Sequence, residues 1–228
     1  MRYYPVFLDL QGVSCLVVGG GQVGERKVKT LLSCGARVFL ISRDLTPFLK
    51  EELGHGRVTL LKGDYDPSCL ENIFLVIGAT DDTDLNQRIG REARHLGLLC
   101  NIVDKPAECN FILPSLVSRG DLTVAVSTAG KSPALARKIR EELEEIFPEI
   151  YGIYLDLLGK IRQEVLALSL PQSQNQEIFK ALVKAPVLSW MRNGDAKAME
   201  DFLDRVLGPL CSKIQTAGLI RPFFPSPR

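Results

Sequence analysis

The chain has 228 residues, of which 46% are apolar and 24% charged, with a formal net charge of +1. That length supports one large domain or two modest ones, and the near-neutral charge argues against nucleic acid or an acidic membrane surface as the main partner. No apolar run reaches the roughly 18 residues that a membrane span needs, and Asp9 and Gln11 interrupt any leader-like block, so no membrane association and a cytoplasmic location are expected.

Through the first half, short runs rich in valine, isoleucine and leucine alternate with helical patterns, as in a parallel sheet covered on both faces. The pattern predicts strands at 15–18, 37–41, 58–61, 74–79 and 98–103, and helices at 23–33 and 85–95 with Gly35 and Gly97 as stops. A sixth apolar run, 122–127, follows the turn signal Arg119-Gly120-Asp121. It leads into a helix from Pro133 to about residue 146, which Ser132 can cap and Pro148 closes. From 151 to about 207, apolar spacings of three and four predict a helical region. The stretch 218–228 carries three prolines and is expected to pack loosely.

The strongest local signal is Val17-Val18-Gly19-Gly20-Gly21-Gln22-Val23-Gly24, a strand running through G-x-G-x-x-G into a helix. Gly19 permits the tight turn, Gly21 lets a pyrophosphate approach the backbone, and Gly24 lets helix and strand pack closely. The backbone N–H groups at Gln22 and Val23, at the positive end of the helix, suit the phosphates. The pattern predicts an α/β fold with a Rossmann-type parallel sheet that binds a dinucleotide.

After the second strand, Asp44 can hold the ribose hydroxyls, while Arg43 beside it can instead hold a 2′-phosphate, so the residues leave NAD and NADP both open. In Thr80-Asp81-Asp82-Thr83-Asp84, Asp82 and Asp84 read as helix-capping and first-turn acids and Thr80 as a cofactor contact. Asn101 and Asp104 lie at the end of the fifth strand, at the same crevice edge, where an aspartate is by itself more often a turn former than a catalyst. The six cysteines form no Cys-x-x-Cys pair, and with two histidines there is no metal-ligand spacing; reduced, mostly buried thiols and no bound metal are expected. Trp190 and Phe202 read as core residues of the helical region.

Several motifs occur together: the glycine segment continuing into Glu25-Arg26-Lys27, Ala79-Thr80-Asp81-Asp82, Asn101-Ile102-Val103-Asp104, Asn110-Phe111-Ile112-Leu113-Pro114-Ser115, and Val126-Ser127-Thr128-Ala129-Gly130-Lys131-Ser132-Pro133. In this the chain resembles the precorrin-2 dehydrogenase family, which includes the N-terminal half of sirohaem synthases and members that also act as sirohydrochlorin ferrochelatases. The resemblance implies oxidation of precorrin-2 to sirohydrochlorin with NAD as hydride acceptor, with ferrous iron as a candidate second substrate. It assigns Asp104 a catalytic role and places part of the substrate site on the loop that holds Thr128, Lys131 and Ser132; Thr128 stands where some members carry a phosphorylated serine. Lys131, Arg137 and Arg140 bring positive charge near a helix start that can receive substrate carboxylates, the alternative being a solvated helix face, since Glu141, Glu142, Glu144 and Glu145 follow. The resemblance also implies a homodimer and three parts: an NAD-binding domain at 1–113, a dimerisation segment at 114–148 and a small helical domain at 149–228. The competing reading is a dinucleotide sensor without catalysis, to which the segment from Asn101 to Arg140 would contribute nothing.

Overall fold

The computed structural model describes residues 2–61, 64–214 and 216–224, and the chain divides into two compact units, Met1–Leu113 and Pro114–Arg228. The first unit is built on five parallel strands: β1 (Ser14–Val18), β2 (Arg37–Ile41), β3 (Val58–Leu60), β4 (Leu75–Gly78) and β5 (Leu99–Ile102), in the order β3-β2-β1-β4-β5. Cys15, Leu16, Val17 and Val18 of β1 are all buried, because the central strand faces packed side chains on both sides and has no use for polar alternation. Val18 pairs in register with Ile41 on one side and Gly78 on the other. The chain leaves β1 toward β2 and later returns to β4 on the opposite flank. The carboxyl end of β1 is therefore the point where the winding reverses, the place where open α/β sheets take their ligands.

Helices α1 (Gln22–Ser33) and α2 (Pro47–Gly54) belong to one face of the sheet, whose core joins Val17, Val28, Leu31, Leu40, Leu49 and Ile77. The other face joins Leu16, Val18, Leu70, Val76 and Ile102 to Ile89 and Ala93 of α3 (Thr83–His95). Burying an aliphatic side chain as fully as Leu16, Leu40 or Ile89 stabilises the unit by about 1.5–3 kcal/mol each. Gly35 and Gly97 stand just past α1 and α3 at φ of +72° and +69°, as the predicted stops require. Each predicted strand matches to within one or two residues, whereas α2 was not foreseen. Thr46 caps it, accepting from Leu49 N at 3.3 Å, and Pro47 opens its first turn.

Among the described residues, the connection from β3 to β4 holds a 3-10 turn, Pro67–Leu70. Tyr65, buried in this connection, fixes it to α3 by donating its hydroxyl to the Glu92 carboxylate at 2.6 Å, with the Arg88 guanidinium over its ring. Burial and the adjacent carboxylate push the phenol well above its ordinary range.

In the second unit, β6 (Ser115–Arg119) and β7 (Leu122–Val126) form an antiparallel hairpin turned at Gly120. The predicted strand at 122–127 is β7; β6 was not anticipated. Ser132 caps α4 (Pro133–Ile146) by accepting from Leu135 N at 3.2 Å, and at the other end Arg119 donates to the Phe147 carbonyl at 2.7 Å. The predicted helical region is α5 (Ile150–Ala167), α6 (Gln172–Lys184), α7 (Val187–Asn193) and α8 (Ala196–Leu207), followed by α9 (Thr216–Ile220). It breaks where Pro171 and Pro186 precede helices and where Gly194 adopts φ +68°. Leu157, Ile161, Leu182, Met199 and Leu203 form its core, against which Trp190 and Phe202 pack with ring centroids 5.5 Å apart. No described helix is long and apolar enough to cross a membrane. The Cys211 side chain and the last four residues of the expected loose tail lie outside the described part.

Candidate functional site

Each glycine of the β1–α1 turn answers to a different neighbour. Gly19 adopts φ +115°, and a Cβ on it would stand 2.3 Å from the Ala79 carbonyl oxygen. A Cβ on Gly24 would stand 2.0 Å from the Gly19 carbonyl oxygen, so only glycine lets α1 seat against the turn. Gly21 differs: no atom lies within 4 Å of its Cβ direction, and it is exposed. Its side of the turn faces open space at the start of α1, where Gly21 is the N-cap and supplies no side chain to the first backbone N–H groups. This is the arrangement that fits a pyrophosphate. Gly20, which the spacing rule leaves unassigned, is equally constrained, because its Cβ would meet the Asp44 carbonyl oxygen at 2.3 Å and Ser42 Oγ at 2.7 Å.

Gln22 and Val23 line a shallow cleft of about 550 Å³ together with Glu25, Arg26, Thr46 and Pro47. Glu25 is held below the usual carboxylate range by hydrogen bonds from Lys29 and Thr46, while partial burial and the neighbouring Arg26 draw the Lys27 ammonium down. The loop after β2 is drawn onto the glycine turn by Thr46 N donating to the Gly20 carbonyl at 3.2 Å. Within it Ser42 Oγ donates to the Asp44 carbonyl at 2.7 Å, leaving the Asp44 side chain exposed. Arg43 donates through Nε and a terminal nitrogen to Asp64, with contacts of 3.0, 2.9 and 2.9 Å. Asp64 was missed in the sequence because it lies 21 positions away with no motif around it.

Across the crevice, Thr80 is held at the end of β4 by Asn86. Asn86 Nδ2 donates to the Thr80 carbonyl at 2.8 Å, and the Thr80 hydroxyl shares its one proton between Asn86 Oδ1 at 3.1 Å and the Asp82 carbonyl at 3.0 Å. The hydroxyl expected to contact a cofactor is therefore committed to this clasp in the described state. Asn86 is one of two buried polar or charged residues among those described, a role its place in a helical pattern did not announce. Asp82 caps α3, accepting from Leu85 N at 2.9 Å, and Asp84 is an acid of its first turn, as expected.

At the end of β5, Asn101 donates to the Phe111 carbonyl at 3.2 Å. Asn110 binds back along the same strand, accepting from Cys100 N at 2.8 Å and donating to the Leu98 carbonyl at 2.7 Å. The Asn110-Phe111 segment thus covers the open edge of the sheet. Asp104 follows β5 at φ +59°, a left-handed conformation that aspartate tolerates better than most residues, with its side chain exposed. In the second unit Thr128 Oγ1 donates to the Ser132 carbonyl at 3.0 Å and accepts from Ser132 N at 3.2 Å, closing a loop in which Ala129 and Gly130 have positive φ. Lys131 is exposed on that loop, whereas Arg137 is paired with Glu141 at 2.9 Å.

Among the described residues, no group of three or more histidine, cysteine, aspartate or glutamate side chains gathers as metal ligands. Five free cysteines are described: Cys15 and Cys100 are buried, Cys69 and Cys109 half-buried, and Cys34 is exposed, which corrects the expectation of mostly buried thiols.

Residues 6–115 match the family described as putative NAD(P)-binding, and residues 119–146 match the central segment of sirohaem biosynthesis proteins. Siroheme synthase from Enterobacter sp. (strain 638) is 37% identical over 208 residues, covering 91% of this chain and 46% of that protein. Siroheme synthase from Methylobacillus flagellatus is 37% identical over 207 residues, covering 89% and 44%. The chain thus spans just under half the length of the curated relatives it matches. Among solved structures, SirC, a precorrin-2 dehydrogenase, superposes with a TM-score of 0.72 at 26% identity, over 90% of this chain and 98% of that one. The glycine turn at the switch point and the order of the motifs agree with these likenesses: the chain is similar to a precorrin-2 dehydrogenase over nearly its whole length and to just under half of each siroheme synthase.

Proposed function

We propose that the chain oxidises precorrin-2 to sirohydrochlorin with NAD as hydride acceptor. The observation that carries this reading is the likeness to a precorrin-2 dehydrogenase across 98% of that protein. When bound, NAD supplies the acceptor for the hydride leaving a saturated ring carbon. The chain's own residues supply the rest. Gly19 and Gly24 shape the turn, and Gly21 with the N–H groups of Gln22 and Val23 receives the pyrophosphate. Asp44 takes the ribose hydroxyls, and the Asn86 clasp holds Thr80 and Asn101 holds its strand end along the crevice.

Dehydrogenation removes a proton as well as a hydride. Asp104 is the residue for the proton: it is exposed beyond the end of β5 and fixed in a tight turn by Lys105 N donating to the Ile102 carbonyl at 3.2 Å. Lys131, Arg137 and the Thr128–Ser132 loop receive the carboxylates of the tetrapyrrole, for which Lys131 is exposed while Arg137 must exchange its Glu141 partner. The segment 114–148 pairs two copies of the chain, the helical part 149–228 completes the substrate domain, and the protein works in the cytoplasm. Ferrous iron is the second substrate to test, since a carboxylate placed like Asp104 can also take pyrrole protons during metal insertion.

The test is an anaerobic incubation of the purified chain with precorrin-2 and NAD, following NADH and sirohydrochlorin, with ferrous iron added after oxidation is complete. NADH is expected in step with sirohydrochlorin. Nucleotide binding without NADH formation would support the sensor reading and overturn this one.

A further inference from the structure

We propose that Asp64 sets the nucleotide preference of this chain, turning it toward NAD by occupying the Arg43 guanidinium, which could otherwise grip a 2′-phosphate. The inference rests on the dinucleotide reading above and adds a residue that none of the motifs contains.

The loop after β2 has little freedom. Thr46 N is bonded to the Gly20 carbonyl, Ser42 Oγ to the Asp44 carbonyl, and Gly20 has no room for even a Cβ against that loop. A nucleotide whose pyrophosphate lies at Gly21 therefore brings its adenosine ribose to Arg43 and Asp44. An arginine here is the usual means of binding a 2′-phosphate, because its fork of donors matches phosphate oxygens bidentately. In this chain the fork is filled: Nε and a terminal nitrogen of Arg43 make three contacts of 2.9–3.0 Å with both carboxylate oxygens of Asp64. The Ser42 hydroxyl, the other donor at that position, is committed to the Asp44 carbonyl.

Stability does not explain the pair. Its side chains are 83% and 73% exposed, a setting in which ion pairs contribute little to folding. What the pair changes is the charge a ligand meets. A 2′-phosphate would have to displace Asp64 from the fork and then remain beside its carboxylate, whereas a 2′-hydroxyl meets no such repulsion and finds Asp44 as acceptor. Asp64 is also held in place, because the next residue, Tyr65, is buried and bonded to Glu92.

The experiment is fluorescence titration of the full chain with NADH and with NADPH, for the wild type, Asp64→Asn, Asp64→Ser, Arg43→Ala and the double variant Asp64→Asn/Arg43→Ala. The wild type is expected to favour NADH. Freeing the Arg43 fork to grip the phosphate raises the NADPH-to-NADH affinity ratio about tenfold, equivalent to about 1.4 kcal/mol, in both Asp64 variants. The double variant loses that gain, because Arg43 is the group set free to bind. A ratio unchanged to within about twofold in both Asp64 variants, a gain that survives loss of Arg43, or a wild type that prefers NADPH would each overturn the proposal. Failure of the wild type to bind either nucleotide would overturn the dinucleotide reading and this inference with it, an outcome distinct from NADH binding with an unchanged ratio.

Discussion

Gly24→Ala adds one methyl group where the structure leaves no space. The new Cβ would lie 2.0 Å from the Gly19 carbonyl oxygen and 2.9 Å from its carbon, so relief requires moving backbone by more than an ångström. Gly19 cannot yield, since its N–H donates to the Ile41 carbonyl at 2.8 Å and the Ala79 carbonyl fills the space where its Cβ would stand. Against this, alanine improves helix propensity over glycine by about 1 kcal/mol. Overpacking against rigid backbone costs about 3 kcal/mol, leaving a net loss of about 2 kcal/mol and a melting temperature lower by roughly 10 °C for a unit of this size. Gly21→Ala is the control, because its Cβ points into open space. That variant should melt near the wild type yet bind NADH at least about tenfold more weakly, since the methyl group occupies the approach of the pyrophosphate. Thermal melts by circular dichroism and NADH titrations read both effects. If Gly24→Ala melted within about 2 °C of the wild type, or Gly21→Ala bound NADH as tightly, the assignment of packing to one glycine and ligand approach to the other would be refuted.

Asp104→Asn keeps a side chain that tolerates φ +59° and removes only the carboxylate; turnover of precorrin-2 should fall by about 10²- to 10⁴-fold with NADH affinity retained, and a variant with wild-type turnover would exclude Asp104 from the proton transfer. Asn86→Ala deletes the clasp on Thr80 and should cost about 1–3 kcal/mol in urea unfolding while weakening NADH binding; an unchanged midpoint would show that the clasp is idle. Burial pushes the Cys15 thiol up to about 11 and the Cys100 thiol up to about 12 from the ordinary 9.0. Above pH 9.0 the unfolded chain loses protons that the native state keeps, so both thiols withdraw stability as pH rises toward those raised values and neither affects it below. Melting temperatures measured from pH 8 upward should therefore fall less steeply in a Cys15→Ala/Cys100→Ala variant than in the wild type, and parallel curves would contradict this.

The sequence disclosed the first unit best where a local rule governs it. The valine and isoleucine runs of β1, β2, β4 and β5, the glycine stops after α1 and α3, and the cap at Asp82 all depend on neighbours within a few residues, as does the Ser132 cap in the second unit. Thr46-Pro47 is a helix start signal, but the eight residues of α2 are too few for an apolar periodicity to stand out. The strand β6 escaped because its five residues, Ser115 to Arg119, carry only a weak alternation and gain their place from pairing with β7. Within the site, the glycine turn followed from spacing alone. Asn86 and Asp64 did not, because each acquires its meaning from a partner brought near by the winding of the sheet. Thr80 lies between these cases: its position was foreseen, but the bond that occupies its hydroxyl was not.

The placing of β4 beside β1 also imposes an order of assembly. Cys15 pairs with Leu75, so the central ladder closes a loop of about sixty residues, whereas β1, α1 and β2 form a local parallel βαβ unit. Loop closure grows only by about 0.6 kcal/mol per doubling of length, but it must be met before either face of the sheet gains any packing across the seam. The glycine turn and the loop drawn onto it therefore take shape in the early, local half of the search. The wall formed by Thr80, Asn86 and Asp104 arrives with the distant half, and nucleotide, by gripping both sides of the seam, is expected to act as a fastener that slows unfolding more than it speeds folding.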